Sequence, residues 1–459
     1  MRRSATFLAR LLAGLAALGL AVQPLAAQSE GPAILRDSET EALLQDLVAP
    51  IAQAAGLPRG AVQVVLINDP SINAFVAGGQ RIFIHSGLIS AADNANQVQG
   101  VLAHEMGHIA GGHAISIYDG AGKAGKIQLL SMLAGIAAAL AGAPEAGAAV
   151  SALGQQAALG TFLAFTRAQE SSADAASVAF LSKAGISGKG SIAFFHKLQG
   201  EEFRYAEAQD DDAAYARTHP LTGDRIARLE GSFEKDPAWD KAPDPGQERR
   251  FERIKAKLYG YLAKPGDTLS HYPTYLTDVP ARYARAYAYH KDAQMDLALG
   301  EVNALIASAP SDPYFLELKG QVLLESGKPA EAIAPLREAT ERTNNDPLIA
   351  STFGHALIAT EDSKNFAEAE KVLRAAVGRD RENPFAWYQL GVVYAAKGDL
   401  PRARLASAEQ QIMSAQPREA LRSAEAAEGA LPTGSPDWLR AQDVAMQARA
   451  ELERSKDRH

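Results

Sequence analysis

The 459-residue chain contains no cysteine. That absence excludes disulfide scaffolds, thiolate-held zinc, iron–sulfur clusters, cysteine nucleophiles and a lipidated N-terminal cysteine. Any metal has to be held by histidine, aspartate or glutamate. Positive charge is also short: 46 Lys and Arg stand against 54 Asp and Glu, a formal net charge of −8. A chain that reads nucleic acid through its phosphates carries the opposite balance, so no nucleic-acid partner is expected. Long apolar runs are few. Beyond the N-terminus the main candidates are Ile127–Ala143 and Gly147–Phe165, rich in Ala and Gly and interrupted by Gln128, Gln155 and Gln156. The first has 17 residues, the lower edge of what spans a bilayer. Both read as a helical hairpin packed beside the rest of the fold, with peripheral membrane contact as the alternative.

What the chain does have is apolar content, 47% of its residues, enough to exclude a mostly disordered protein. Its length suggests two or three domains. Arg2, Arg3 and Arg10 flank an apolar stretch from Phe7 to Val22, and Pro24-Leu25-Ala26-Ala27 supplies small residues. This pattern predicts a secretory signal peptide over residues 1–27. The expected product is periplasmic, soluble or peripherally bound to a membrane.

The second half repeats. Asp312-Pro313 recurs as Asp346-Pro347 after 34 residues and as Asn383-Pro384 after another 37. Gly320, Gly354 and Gly391 follow each proline at the same offset. A helix–turn–helix period of this length, with proline at helix starts and small residues at crossings, resembles the tetratricopeptide repeat. It predicts an α-solenoid over 281–459 whose concave face is a binding surface, with an insertion and a capping helix pair after Leu400. The proline-rich 264–280 reads as a linker. Residues 28–263 have mixed character: a strand over Ala61–Ile67, a hairpin over Asn73–His85 turning at Gly78-Gly79, and an amphipathic helix over Val98–His113.

That helix contains His104-Glu105-Met106-Gly107-His108. Histidines at i and i+4 share one helix face and can share one metal ion, while Glu105 is placed to meet a water on it. Two imidazoles are too few for a catalytic zinc site. The best candidate for a third ligand is Glu170, with Asp174 one turn later to hydrogen-bond the far nitrogen of a ligand histidine. His113 falls off the ligand face by spacing and reads as structural.

HEMGH followed about sixty residues later by Arg167-x-x-Glu170-x-x-Ala173-Asp174 resembles the gluzincin metallopeptidases related to the CAAX prenyl protease and the heat-shock protease HtpX. Arg36-Asp37-x-Glu39-x-Glu41, Asn73-Ala74-Phe75 with Gly78-Gly79, and Thr218-His219-Pro220 with Arg225-Ile226 resemble further motifs of that family. With signal segment and repeats added, the whole chain resembles the periplasmic β-barrel assembly-enhancing proteases. The resemblance implies a mostly helical α+β gluzincin domain with a small sheet, followed by the solenoid. It implies one Zn2+ on His104, His108 and Glu170, with Glu105 as general base. Asn73, Phe75, Gly78 and Gly79 would form the substrate-side strand pair. His219 is then a fourth ligand acting as a latch, a transition-state contact, or a helix-capping histidine. Arg225 balances an oxyanion or pairs with Asp224 or Glu230. The implied function is an endopeptidase acting on misfolded or stalled outer-membrane proteins, with the repeats recruiting clients or the β-barrel assembly machinery. The competing reading is a non-catalytic chaperone or adaptor with a structural or latched metal.

Overall fold

A computed structural model describes residues 34–77, 79–113, 166–205, 219 and 223–456. The signal segment 1–27, Gly78, the two Ala/Gly-rich stretches and Thr218 and Pro220 lie outside the described residues. Among the described residues no helix is long and apolar enough to cross a membrane.

The N-terminal unit is built around a buried helix. After β1 (Ile34–Leu35), Asp37 caps α1 (Ser38–Ala54), accepting from the Thr40 amide at 2.8 Å. Strands β2 (Gln63–Ile67), β3 (Ala74–Ala77) and β4 (Arg81–His85) complete a four-stranded sheet ordered β1-β2-β4-β3. β4 runs parallel to β2 and antiparallel to β3, which leaves β3 as an edge. Phe75 and Phe83 face each other across that pair and stack at 5.2 Å. The helices α2 (Ser86–Ala91) and α3 (Ala95–Ala110) follow. Asn94 caps α3 through the Gln97 amide at 2.9 Å, a contact worth about 1 kcal/mol.

The amphipathic pattern of α3 suggested one wet face; instead every residue from Ala95 to His108 is buried. Val98, Val101 and Leu102 enter the core with Leu43, Leu47 and Ile51 of α1. The opposite, polar face is covered by helix α4 (166–184) and by α5 (Lys189–Tyr205), α6 (Gly223–Phe233) following these in the chain. Polar side chains inside a protein need partners, and the partners supplied are other functional groups.

The segment 264–280 is not the linker its prolines suggested. Helix α7 (Pro245–Leu262) lies against α9 (Val279–Lys291), close enough that a Cβ on Gly260 would sit 2.5 Å from the Ala284 carbonyl. Between them α8 (Pro265–His271) is helical. The fully buried Arg285 pairs with Glu301 at 2.7 Å and donates to the carbonyls of Pro273 and Leu276 at 3.0 and 2.9 Å. Such bonds satisfy both the cation and the turn, so the two units are joined by packed structure.

The solenoid continues through α10 (Met295–Ser308), α11 (Pro313–Glu325), α12 (Pro329–Arg342), α13 (Pro347–Ala359), α14 (Phe366–Arg379), α15 (Pro384–Ala396) and α16 (Leu400–Met413). The repeated glycine has a steric cause. A Cβ on Gly320 would meet Leu336 at 2.3 Å, and one on Gly354 would meet Leu373 at 2.5 Å. The insertion expected after Leu400 is absent. α17 (Pro417–Glu428) begins 33 residues after Pro384 and pairs with α18 (Pro436–Lys456), adding one more helix pair in register.

The repeats grip the N-terminal unit by their loops. Asp312, Asp346 and Asp380, spaced 34 residues apart, each reach it. Asp380 pairs with Arg36 at 3.0 Å, Asp346 accepts from Ser38 at 2.6 Å, and Asp312 pairs with Arg253 of α7 at 2.6 Å. Arg36 is more than a third exposed and its pair contributes about 0–1 kcal/mol. Glu39 is different. It is 1% exposed and holds Arg253, Lys257 at 3.3 Å and the Tyr283 hydroxyl at 2.7 Å. The motif Arg36-Asp37-x-Glu39-x-Glu41 is therefore the docking point of the solenoid.

Candidate active site and metal centre

The buried polar face of α3 carries His104, Glu105 and His108. Helix α4 brings Glu170 and Asp174 to it, and His219 and Arg225 close it from the other side. The approach of α4 depends on Gly107. A Cβ there would lie 2.6–2.7 Å from the Ala173 carbonyl oxygen and Cα, contacts a real side chain never makes. Gly107→Val is expected to force α3 and α4 apart and destabilise the fold by about 1–3 kcal/mol or more. Thermal unfolding checks this; an unchanged melting temperature would remove the steric argument.

One nitrogen from each of His104, His108 and His219 and one oxygen of Glu170 lie within 4.8 Å of one another. Nε2 of His104 is 3.1 Å from Nε2 of His108 and 3.3 Å from Nδ1 of His219. Glu170 places Oε2 3.3 Å from His104, and Oε1 3.3 Å from His108 and 2.9 Å from His219. Four donors around a tetrahedral ion with bonds of ~2.0–2.1 Å are separated by ~3.3–3.4 Å. The His104–His108, His104–His219 and Glu170–imidazole distances, 2.9–3.3 Å, are close to that spacing, and the N/N/N/O donor set suits zinc. A second observation agrees. Both carboxylate oxygens of Glu105 are buried and accept no hydrogen bond among the described residues; Nε2 of His219 is 3.5 Å away. A bare carboxylate buried beside the donors costs free energy, a cost tolerated where chemistry needs the group there.

Outer contacts set the ligands. Asp174 Oδ1 lies 3.0 Å from Nδ1 of His104, fixing which nitrogen faces the cluster. Arg225 holds Asp174 in a fork, with Nε and Nη2 at 2.6 and 2.7 Å, and reaches Glu170 at 2.9 Å. Its acid partners are thus Asp174 and Glu170, and not Asp224 or Glu230, which are near in sequence only. His113 Nδ1 lies 2.9 Å from Nδ1 of His108, so the residue that spacing set aside from the site orients a candidate ligand. Phe195 of α5 covers His104 edge-on at 6.1 Å and lies under the Arg225 guanidinium at 5.7 Å. Neither contact had a signal in the sequence. Asn73, Phe75 and Gly79 lie on or beside the β3–β4 hairpin, and β3 packs against α3.

The electrostatics follow from crowding. Burial opposes charge on His104, but Asp174 and Glu170 outweigh it and raise that imidazole to about 9. Burial lowers His108 and His113. Burial acts against the Glu170 carboxylate too, yet the three surrounding imidazoles hold it far below the usual carboxylate range. Asp174 is likewise held low, against burial, by His104 and Arg225. The cluster keeps its carboxylates ionised and stores a proton on a ligand histidine, which a divalent cation would displace.

Comparison with known proteins agrees with this geometry. Residues 38–232 match the model of peptidase family M48. The chain carries an M48 metallopeptidase domain. Tetratricopeptide repeats match over residues 281–347 and 359–412. The beta-barrel assembly-enhancing protease of Yersinia pestis is 24% identical over 364 residues, covering 78% of this chain and 72% of that protein. Its counterpart in Escherichia coli K12 is 24% identical over 387 residues, 81% and 75% of the two chains. Metalloprotease LoiP of Escherichia coli K12 is 34% identical over 160 residues, covering 34% of this chain and 59% of that protein. In this M48 domain the match spans α1 to α6, which contain every residue of the donor cluster.

Proposed function

We propose that this metallopeptidase is a zinc-dependent endopeptidase of the periplasm that removes misfolded or stalled outer-membrane proteins. The observation that carries the reading is the orphaned Glu105 carboxylate beside four converging donors. His104, His108 and Glu170 would hold the ion. Bound there, zinc acidifies water and polarises the scissile carbonyl. Glu105 accepts the proton of the attacking water and passes it to the leaving nitrogen. Asp174 keeps His104 in the ligating tautomer, Arg225 helps keep Asp174 ionised, and it also pairs with Glu170 at 2.9 Å. The substrate extends along β3, an edge of the sheet among the described residues, adding a strand beside Asn73, Phe75 and Gly79. The periplasmic assignment and the clients rest on the expected signal segment 1–27 and on the names of the relatives. The repeats would recruit clients or the assembly machinery.

The test is metal analysis of the purified chain with an assay on unfolded outer-membrane protein, before and after chelation. Activity should vanish with the metal and return with zinc. Equal cleavage by a folded, metal-free chain would sink the assignment.

His219 supports a second reading. Its Nδ1 fills the fourth corner of the donor set, which closes a site that catalysis needs open. A histidine that keeps about 90% of molecules closed lowers the rate about 10-fold, so His219→Ala is expected to raise proteolysis by roughly that factor. Lowered activity in this variant would instead make His219 a transition-state contact. A permanently latched site would leave the repeats as a chaperone or adaptor; in that case Glu105→Gln and wild type would deplete a client equally.

A further inference from the structure

The second helices of the repeats carry one charge pattern in two units and a different one in the third. Glu331 and Glu368 stand just before the repeated alanines Ala332 and Ala369; at the same offset, before Ala403, the third unit has Arg402. Arg337 and Arg374 lie six residues after the two glutamates. Arg337 of α12 crosses to Glu368 of α14, with Nε and Nη2 at 3.0 and 2.8 Å from its carboxylate. The same contact one unit later would carry Arg374 of α14 to residue 402 of α16, where the acid has become a cation. Arg374 is left with Glu370 of its own helix at 3.6 Å, and the other oxygen of Glu370 holds Lys397. Arg402 is held by Asp399 at 3.0 Å and by Asp437 of α18 at 2.7 Å.

A cavity of about 560 Å³ lies between α14, α16 and the start of α18, on the second-helix side of the repeats. Four arginines and two aspartates line it, in a chain whose formal charge is −8. Arg440 is bound to the buried Glu409 at 2.8 Å and Asp437 to Arg402, while Asp443 is exposed. Arg381 makes no ion pair or side-chain hydrogen bond among the described residues, and the Trp387 indole pins its backbone by donating to its carbonyl at 3.1 Å. Tyr394, buried in the wall, lies within electrostatic reach of both Arg374 and Arg402. Weakly paired guanidinium groups that share a cavity gain most from an anion with several oxygens, and their planar forks match phosphate. The rest of the wall is apolar. Leu390 and Leu405 are buried in it, Leu439 is 51% exposed at its edge, and Met446, two turns further along α18, is 59% exposed. Arginines beside an open apolar stripe are the pattern of surfaces that rest on anionic lipid.

We propose that this cavity binds the phosphate of an anionic amphiphile, the headgroup of a membrane lipid. The phosphate takes the place of the missing acid between Arg374 and Arg402, Arg381 adds a third cation, and Leu439 and Met446 enter the acyl layer. The site shares no residue with the donor cluster and does not depend on the catalytic reading.

The test floats the full chain on vesicles of phosphatidylcholine, whose own ammonium neutralises its phosphate, with and without phosphatidylglycerol. The vesicles containing phosphatidylglycerol should bind ~100-fold more tightly, and Arg374→Gln and Arg381→Gln should each weaken that binding ~5-fold and together ~25-fold, the scale for basic side chains at a lipid surface. Leu439→Ser should weaken it about 10-fold. Arg404, exposed on α16 outside the cavity, is the control, and Arg404→Gln should leave binding unchanged. The exchanged side chains are all exposed, and melting curves verify that each variant is folded. Glycerol phosphate, a headgroup without chains, should compete only at concentrations far above those of the lipid. Equal binding to the two kinds of vesicle, or a loss in Arg404→Gln equal to that in Arg374→Gln, overturns the proposal. So does glycerol phosphate binding as tightly as the vesicles, which gives the cavity to a soluble phosphate. A glutamate–leucine peptide that binds more tightly than the lipid, with the same dependence on Arg374 and Arg381, also overturns it and gives the cavity to a polypeptide.

Discussion

A Glu105→Gln variant should keep its fold and its metal and lose peptidase activity by ~10²- to 10⁴-fold, the usual share of a positioned general base. The amide is nearly isosteric with the carboxylate, so the buried helix α3 is not disturbed. It cannot accept the proton of the attacking water. Stability should be about equal, because Glu105 is 0% exposed and its oxygens accept no hydrogen bond among the described residues, so no partner is lost with the carboxyl. Cleavage of unfolded outer-membrane protein and a melting curve, measured side by side, check both halves. Retained cleavage would leave Glu105 without a role and return the site to a structural one.

Glu170→Ala should have the largest effect on metal content. It removes the cluster's only anionic donor among the described residues and takes from Arg225 one of its two acid partners there. Asp174→Asn provides the scale. It leaves every donor in place but loosens His104 and Arg225, and loss of such an outer partner costs ~10–100-fold in affinity. Glu170→Ala should exceed that range, measured by competition with a chelator at fixed pH. The pH has to be fixed because loading displaces the proton that burial disfavours but Asp174 and Glu170 hold on His104 up to about 9; affinity therefore rises with pH below that value. Wild-type affinity in Glu170→Ala would mean that the third donor lies elsewhere.

The parts of this site that were legible in the sequence are those fixed by one helix. His104 with His108, and Glu170 with Asp174, are each one turn apart, so either pair shares a face whatever surrounds it. What joins the two helices was written only indirectly: Gly107 opposite Ala173 are the small residues that let them touch. The roles of His113 and Phe195 arise from turns and packing between distant segments, where spacing carries no information. Arg225 shows the bias of reading locally, since its acids lie some fifty residues upstream on another helix. The same bias shaped the repeats. Asp-Pro or Asn-Pro and the glycine seven residues after the proline announced three units. The next has Gln416-Pro417 and Ala424 at those offsets, and the weaker signature read as an insertion. Proline density suggested a linker at 264–280, where the prolines instead start or border short helices around Arg285.

The aspartates at positions 312, 346 and 380 act like teeth on a rack, meshing with Arg253, Ser38 and Arg36 in turn. Solenoids ordinarily tolerate gain or loss of a module, because each unit touches only its neighbours. Here that tolerance is divided. Among the described residues the ladder of bonds to the peptidase ends at Glu382, which meets Arg81 at 3.0 Å. Modules beyond it are at liberty to lengthen, shorten or be exchanged, whereas excising one of the first three would leave a tooth missing and the neighbouring enzyme misaligned.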